Sequence, residues 1–160
     1  MQELLQRAER VSRLLKERRE TIVVAESSTG GLVAAALLAM PGASAYFLGG
    51  AVVYTQTARN VLFDLGDLSA RGMRASTEPY ARLLARTARE RFASTWALAE
   101  SGATGPTGNR YGDAAGHCCL AIVGPVERAL TIETGDTDRL ANMRAFSAAA
   151  LDLLAQVLAR

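Results

Sequence analysis

The chain has 160 residues, of which 49% are apolar and 21% are charged. This composition is typical of a folded protein and excludes a disordered one. The length predicts one domain over residues 1–160. The formal net charge of +2 is too small to indicate nucleic-acid binding, and the arginines are spread over several predicted helices. No apolar run approaches the roughly 20 residues that span a bilayer, and the first residues carry no secretory signal. Together with the low net charge, these observations lead us to expect a cytoplasmic protein that binds neither nucleic acid nor membranes.

Apolar spacing in the first half of the chain predicts alternating helices and strands. Leucine and valine recur at helical spacing near the start, and a run of β-branched residues then predicts a buried strand. Pro41-Gly42 ends the next helix. The predicted elements are a helix over residues 3–18, a strand at Thr21–Ala25, a helix from Leu32 to Met40, a strand at Gly49–Tyr54 and a short helix around Ala58–Leu65.

The second half continues the alternation and then changes to consecutive strands. Ser76 or Thr77 is placed to cap one helix and Thr137 or Asp138 to cap the last. Gly124-Pro125 predicts a turn between two neighbouring strands. The predicted elements are a helix at Glu78–Phe92, a strand at Thr95–Glu100, strands at His117–Val123 and Ala129–Glu133, and a helix from Arg139 to Leu158.

This order of elements predicts an α/β fold, with a mixed sheet flanked by helices. Two segments lack periodicity, Ser27–Gly31 and Gly102–Ala115, and each follows the carboxyl end of a predicted strand. Ligands of open α/β sheets bind at that edge. We therefore expect the ligand site to be built from these two segments.

The first segment, Glu26-Ser27-Ser28-Thr29-Gly30-Gly31, joins a strand to a helix. Two glycines allow a tight turn, and three hydroxyls beside the free N–H groups of a helix start form an anion or oxyanion site. The spacing matches neither a P-loop nor a nucleophile elbow. The alternative is that one of Ser27, Ser28 and Thr29 only caps the helix.

The second segment repeats this chemistry after the strand ending at Glu100. Hydroxyls and glycines follow that carboxylate, and further polar residues suit a ribose or a phosphate. The alternative is a long surface turn. The candidates are Gly102, Thr104, Gly105, Asn109, Arg110 and Asp113. Arg139, at the start of the last helix, is either a further contributor to this site or an exposed charge.

The remaining reactive residues favour structural roles. His117 is the only histidine and lies in an apolar strand, where a satisfied structural residue is more common than a base. Cys118 and Cys119 are adjacent in that strand, so they point to opposite faces and form neither a disulfide nor a shared metal site. The sequence therefore predicts no metal site.

At the two segments the chain resembles the CinA C-terminal-domain family, the nicotinamide-nucleotide amidases. The matching text is Ala25-Glu26-Ser27-Ser28-Thr29-Gly30-Gly31, Pro41-Gly42-Ala43-Ser44-Ala45, Phe47-Leu48-Gly49-Gly50 with Val53-Tyr54, and Gly102-Ala103-Thr104-Gly105-Pro106. The resemblance implies a three-layer α/β/α sandwich. It also implies hydrolysis of the carboxamide of nicotinamide mononucleotide to nicotinic acid mononucleotide and ammonia, without metal or organic cofactor.

The resemblance implies Ser27 as nucleophile, with Ser28 the second choice. The family's base is a lysine five residues after the tyrosine, but here Tyr54 is followed at that distance by Arg59. Arginine stays charged, so it can hold an oxyanion or a phosphate but not deprotonate Ser27. Glu26, Glu100 and Tyr54 remain as possible bases, and the backbone of Thr29–Gly31 is the expected oxyanion site.

Two functions stay open at this point. The first is an amidohydrolase of pyridine-nucleotide salvage, in which Tyr54 and Arg59 assist Ser27. The second is a catalytically impaired nucleotide-binding or regulatory protein, which the arginine at position 59 favours. The residues around Asn109-Arg110-Tyr111-Gly112-Asp113 also depart from the family's usual loop. The apolar terminal helices are consistent with a homo-oligomer.

Overall fold

The computed structural model describes residues Met1–Arg160. Its helices are α1 (Gln2–Arg18), α2 (Leu32–Leu38), α3 (Gln56–Phe63), α4 (Glu78–Phe92) and α5 (Arg139–Leu158). Its strands are β1 (Ile22–Glu26), β2 (Phe47–Val52), β3 (Trp96–Ala103), β4 (His117–Val123) and β5 (Glu127–Glu133). None of the helices combines the length and hydropathy needed to cross a bilayer.

The five strands form one mixed sheet in the order β2-β1-β3-β4-β5. Strand β1 runs parallel to both β2 and β3, while β4 is antiparallel to β3 and to β5. The carboxyl ends of β1, β2 and β3 therefore lie at one edge of the sheet. The fold confirms the predicted mixed α/β sheet.

Two hydrophobic cores lie on opposite faces of the sheet. One joins the inner sides of α1, α2 and α5 to the sheet, with Trp96 and Phe146 among its buried members. The other joins α3 and α4 to the opposite face, around Phe63 and Leu84. Cys118 belongs to the first core and Cys119 to the second, as predicted from their adjacency in a strand, and both thiols are free. The three layers are those of the predicted α/β/α sandwich.

Most element boundaries lie within two residues of the sequence prediction, and α4, β4 and α5 match it at both ends. Thr77, not Ser76, caps α4, and Asp138, not Thr137, caps α5. Strand β3 was predicted to end at Glu100 but continues to Ala103, because β4 pairs with its last residues and compensates for their lack of apolar pattern. Strand β2 begins and ends two residues earlier than predicted, and β5 begins two residues earlier.

Candidate functional site

The parallel arrangement of β1, β2 and β3 brings the two predicted segments together. Ser27 directly follows β1, Tyr54 lies two residues beyond β2, and the glycine-rich loop follows β3. Arg139, the first residue of α5, reaches the same edge: its guanidinium donates to the Gly105 carbonyl at 2.8 Å and to the Tyr54 hydroxyl at 3.1 Å. The sheet therefore assembles one site from four separate parts of the chain.

Glu26, the last residue of β1, caps helix α2. Its buried carboxylate accepts hydrogen bonds from the N–H groups of Gly31, Val33 and Ala34 at 2.7–3.1 Å. This negative group sits at the positive end of the helix, where it is favoured. Glu26 is thus a cap and not the base or substrate contact considered from sequence. None of the three hydroxyls makes the cap, since the N-cap residue is Gly31, with φ 98° and no side-chain bond.

Glu100, on β3, holds the Ser27–Thr29 segment from the other side. One carboxyl oxygen accepts from the N–H groups of Ser27 at 2.5 Å and Thr29 at 2.8 Å. The other accepts from the Ser28 hydroxyl at 2.6 Å. Glu100 is fully buried, and this burial raises its pKa, against the opposing effect of these hydrogen bonds. Glu100 is therefore an anchor of the segment, and its oxygens are already engaged.

The Thr29 hydroxyl joins the two buried glutamates. It lies 2.6 Å from a carboxyl oxygen of Glu26 and 2.8 Å from one of Glu100. Ala25 pairs with Ala99, so the next residues, Glu26 and Glu100, are neighbours on the same face of the sheet. The candidates Ser28 and Thr29 thus use their hydroxyls inside the fold and do not offer them to a ligand.

The expected oxyanion site at the Thr29–Gly31 backbone is wrong for this conformation. The N–H groups of Thr29 and Gly31 are bonded to Glu100 and Glu26, and that of Gly30 is bonded to the Ser27 carbonyl at 3.3 Å. Among residues 27–31, only the Ser28 N–H makes no hydrogen bond within the protein. Ser28 lines a cavity beside Ser27, so its N–H is the backbone donor left for an oxyanion.

Ser27 differs from its two neighbours because its hydroxyl has no partner within the protein. The residue lines two adjoining cavities of about 250 and 260 Å³. Tyr54 lines both of these cavities and a third of about 220 Å³. We call the three together the strand-end cleft. A depression of about 280 Å³ elsewhere is lined only by charged and polar residues of α1, far from these strand ends.

The third cavity, which we call the glycine-loop cavity, is rich in free backbone donors. It is lined by Tyr54, Gly102–Gly105, Thr107–Asn109 and Arg139. The N–H groups of Gly105, Thr107 and Gly108 donate no hydrogen bond within the protein. Free backbone N–H groups beside a guanidinium make a binding place for an anion. Thr104 is buried and its carbonyl accepts from Asn142 at 2.9 Å, so it supports this cavity from behind.

The cavity of about 250 Å³, which we call the arginine cavity, contains Arg59 and Arg110 together with Ser27, Tyr54, Tyr80 and Asn109. Arg59 is only 8% exposed, and its Nε has no hydrogen-bond partner. Asn109 shapes the loop, since its side chain accepts from the N–H groups of Tyr111 and Asp113. Asp113 pairs with Arg74 at 2.6 Å, so it stabilises the loop and does not face a ligand.

His117 lies behind the cleft and is engaged on both ring nitrogens. Nδ1 contacts the Glu133 carboxylate, and Nε2 lies 2.9 Å from the Ser76 carbonyl and 3.9 Å from Asp113. Burial lowers the pKa of His117, but the bonds to Glu133 and Ser76 and the two carboxylate charges outweigh it, so the pKa is raised. The structural role predicted for this histidine is confirmed. No group of three or more His, Cys, Asp and Glu side chains converges as a metal site would require.

His117 should make stability depend on pH. A histidine whose pKa is raised on folding stabilises the native state fully below its unfolded pKa of about 6.5, and this contribution disappears as pH rises through the folded pKa. We expect His117→Asn to lower the free energy of unfolding by about 1 kcal/mol more at about pH 5.5 than at about pH 8.5. Urea unfolding at both pH values measures this. Glu133→Gln should reduce the same difference, and equal losses at both pH values would contradict the assignment.

Sequence reasoning missed several residues of the site. Tyr80 lines the arginine cavity from α4, where its apolar ring fits the helical core pattern and gives no functional signal. Asn142 is buried on α5 and donates to two backbone carbonyls. A polar residue on the apolar side of that helix was a signal that could have identified it. Tyr111 also lines the cavity and lies within the second segment singled out from sequence, while Ser101 lines it from β3, directly before that segment.

Comparison with known proteins gives one family. The sequence profile of the CinA C-terminal domain matches residues 4–158. A CinA-like protein from Prochlorococcus marinus (strain MIT 9313) is 40% identical over 112 residues, covering 70% of this chain and 26% of that protein. One from Gloeobacter violaceus is 40% identical over 136 residues, covering 84% of this chain and 32% of that protein. The chain thus spans about a third or less of the length of these relatives.

Solved structures agree over almost the whole chain. The competence/damage inducible protein CihA from Agrobacterium tumefaciens superimposes with a TM-score of 0.89 at 27% identity, covering 99% of this chain and 96% of that one. A competence-damaged protein (CinA) superfamily protein from Klebsiella pneumoniae 700603 superimposes with a TM-score of 0.91 at 25% identity, covering 98% of each chain.

Proposed function

Because the chain belongs to the CinA C-terminal domain family, we propose that it is an amidohydrolase that converts nicotinamide mononucleotide to nicotinic acid mononucleotide and ammonia. The observation that carries this proposal is the position of Ser27. Its hydroxyl is free of internal hydrogen bonds and faces the strand-end cleft, while its backbone N–H is fixed by Glu100. A nucleophile needs both freedom at its reacting atom and a rigid support.

The cleft supplies the other groups that the reaction needs. The free N–H groups of Gly105, Thr107 and Gly108 and the charge of Arg139 suit the phosphate of the nucleotide. The Ser28 N–H lies next to the nucleophile and suits the oxyanion of the tetrahedral intermediate. In the reaction, the Ser27 oxygen bonds to the carboxamide carbon, the carbon–nitrogen bond breaks, and the amide nitrogen takes up the Ser27 proton and leaves as ammonia. Water then hydrolyses the acyl-serine ester, which releases nicotinic acid mononucleotide and returns a proton to Ser27.

We assign the role of accepting the Ser27 proton to Tyr54 in its phenolate form, since a neutral phenol is not a base. Of the three bases considered from sequence, Glu26 and Glu100 are buried and bonded to other groups, and only Tyr54 lines the cleft with Ser27. The single lysine of the chain, Lys16, bonds the Pro41 carbonyl beyond the C-terminal end of α2, the opposite end of that helix from Ser27, so it does not replace the family's base.

A second candidate is a nucleotide-binding or regulatory protein without turnover. Arg59 favours it, because a guanidinium at the expected base position keeps its charge and removes no proton from Ser27. The glycine-loop cavity and Arg139 serve binding as well as they serve catalysis, whereas the free Ser27 hydroxyl favours catalysis. The two candidates are therefore distinguished by what Arg59 does to the chemistry at Ser27.

The effect of Arg59→Lys on ammonia release distinguishes the candidates by its sign. If Arg59 took the place of a lost base, lysine should create or raise activity by at least about 10-fold, since only an ammonium can lose its proton near neutral pH. If Tyr54 acts as base and Arg59 holds an anion, lysine should lower activity, because it does not reproduce a bidentate contact. Steady-state rates with nicotinamide mononucleotide between about pH 6 and pH 9 decide between them.

Arg10→Lys, on the exposed face of α1, is the matched control and should leave the rate unchanged. Absence of ammonia release from both wild type and Arg59→Lys would contradict the amidase and leave the binding protein. An active wild type with a slower Arg59→Lys variant would contradict the disabled-enzyme alternative.

A further inference from the structure

Arg59 carries a positive charge into a buried position without a partner of opposite charge. It is 8% exposed, its Nε is unbonded, and one terminal nitrogen makes only a long contact of 3.4 Å with the Gly66 carbonyl. The guanidinium carbon lies 5.9 Å from the centre of the Tyr80 ring. Burying a charge costs free energy unless it is paired and hydrogen-bonded. This cost calls for a compensating group that the protein itself does not supply.

The surroundings of Arg59 contain no such group. None of the twelve residues lining the arginine cavity is acidic, and neither Arg59 nor Arg110 takes part in any ion pair of the protein. The exposed Asp67 senses Arg59 only weakly, since its pKa is lowered mainly by hydrogen bonds from Ser69. Arg110 bonds only the Tyr111 hydroxyl, at 2.9 Å. The buried Arg59 and the exposed Arg110 therefore line one cavity that contains no carboxylate.

Part of the cavity lining offers apolar and aromatic surface against which a flat ring can pack. Val53, Ala75 and the rings of Tyr80 and Tyr111 line it beside the two arginines. It also adjoins the glycine-loop cavity, because Tyr54 and Asn109 line both. A ligand that spans the two cavities would place one anionic group at the free backbone N–H groups and a second one at Arg59. The planar fork of a guanidinium matches a carboxylate in a bidentate contact.

We propose that the arginine cavity selects a ring carboxylate, so that the protein binds the acid form of a pyridine mononucleotide more tightly than the amide form. This inference rests on the nucleotide site of the proposed function, and it holds whether or not the chain turns substrate over. An enzyme with this cavity would be inhibited by its own product. A binding protein with it would respond to the deamidated nucleotide.

Calorimetric titration of the full chain with nicotinic acid mononucleotide and with nicotinamide mononucleotide tests the proposal. Titrations are made in the Ser27→Ala background so that the amide is not consumed. We expect the acid to bind at least about 10-fold more tightly, the value of one charge-assisted hydrogen bond. Arg59→Met should bring the ratio of the two affinities close to one, and Arg110→Gln should lower it. Arg10→Gln, on the exposed face of α1, is the control for net charge and should leave it unchanged.

Ribose 5-phosphate separates a carboxylate from a phosphate as the group that Arg59 binds. Its affinity should not change in Arg59→Met, and a clear loss would overturn the proposal by placing the phosphate at Arg59.

Without ligand, Arg59→Met should unfold at the same temperature as its parent or higher, because an uncompensated buried charge is removed. A lower unfolding temperature would mark Arg59 as a structural residue. Equal binding of acid and amide to the parent would overturn this inference alone, and binding of neither would overturn the nucleotide site as well.

Discussion

Ser27→Ala should lower ammonia release from nicotinamide mononucleotide by at least about 100-fold, because it removes the only hydroxyl of its segment that faces the cleft. Steady-state rates measure this in wild type or in Arg59→Lys, whichever is faster. The fold should survive, since the hydroxyl makes no internal hydrogen bond and the alanine N–H still donates to Glu100.

Ser28→Ala is the matched control, one residue away and with the same chemical change. Its hydroxyl is buried against Glu100, so the loss should appear in stability, at about 1–2 kcal/mol, and much less in the rate. Equal rates for wild type and Ser27→Ala would exclude Ser27 as nucleophile. A rate lost in Ser28→Ala and kept in Ser27→Ala would transfer that role to the neighbour.

Glu100→Ala should lower the free energy of unfolding by at least about 3 kcal/mol, because it leaves several buried donors of the Ser27–Thr29 segment without an acceptor. Glu100→Gln should cost about 1 kcal/mol or less. The reason is that burial raises the pKa of Glu100 and so favours its protonated form. A proton on the oxygen that faces Ser28 leaves the other oxygen free to accept from the N–H groups of Ser27 and Thr29. Glutamine reproduces this pattern, with its amide nitrogen facing Ser28 and its oxygen accepting from the two N–H groups.

The pH dependence of stability checks this protonation state. A carboxyl group whose pKa is raised on folding keeps its proton in the native state while the unfolded chain loses it above about pH 4.5. Native Glu100 then binds more protons than unfolded Glu100, so its contribution to stability falls as pH rises toward the folded pKa. Urea unfolding between about pH 5 and pH 8 should show the difference between wild type and Glu100→Gln shrinking with pH. A difference that grows with pH would mean an ionised Glu100.

The elements were predictable from sequence where burial follows a simple period. Helix α4 and strand β4 match because their apolar residues repeat at helical spacing or form a continuous buried run. Strand β5 begins earlier than predicted because Glu127 and Arg128 lie on its exposed edge, where pairing with β4 defines the strand and hydropathy does not. Local pattern thus located the core elements and misplaced the ends that depend on a neighbouring strand.

The candidate site was predictable in its position and not in its internal contacts. Strand order brought Ser27, Tyr54 and the glycine-rich loop to one edge, as expected. Which hydroxyl faces the ligand depends on the register of β1 against β3, because this register places Glu100 beneath Ser28 and Thr29. No sequence period records a contact between residues more than 70 positions apart, so the local pattern alone did not separate the one free hydroxyl from the two buried ones.

The attachment of the Ser27–Thr29 segment to two strands limits how this sequence can change over evolutionary time. A surface loop normally tolerates substitutions one at a time. Here a residue that cannot donate to Glu100 at position 28 or 29 leaves that carboxyl with fewer partners, so a substitution in the segment becomes tolerable mainly after a matching change at position 100. In related chains, positions 28, 29 and 100 should therefore vary together, whereas Ser27 should vary only with the chemistry that the protein performs.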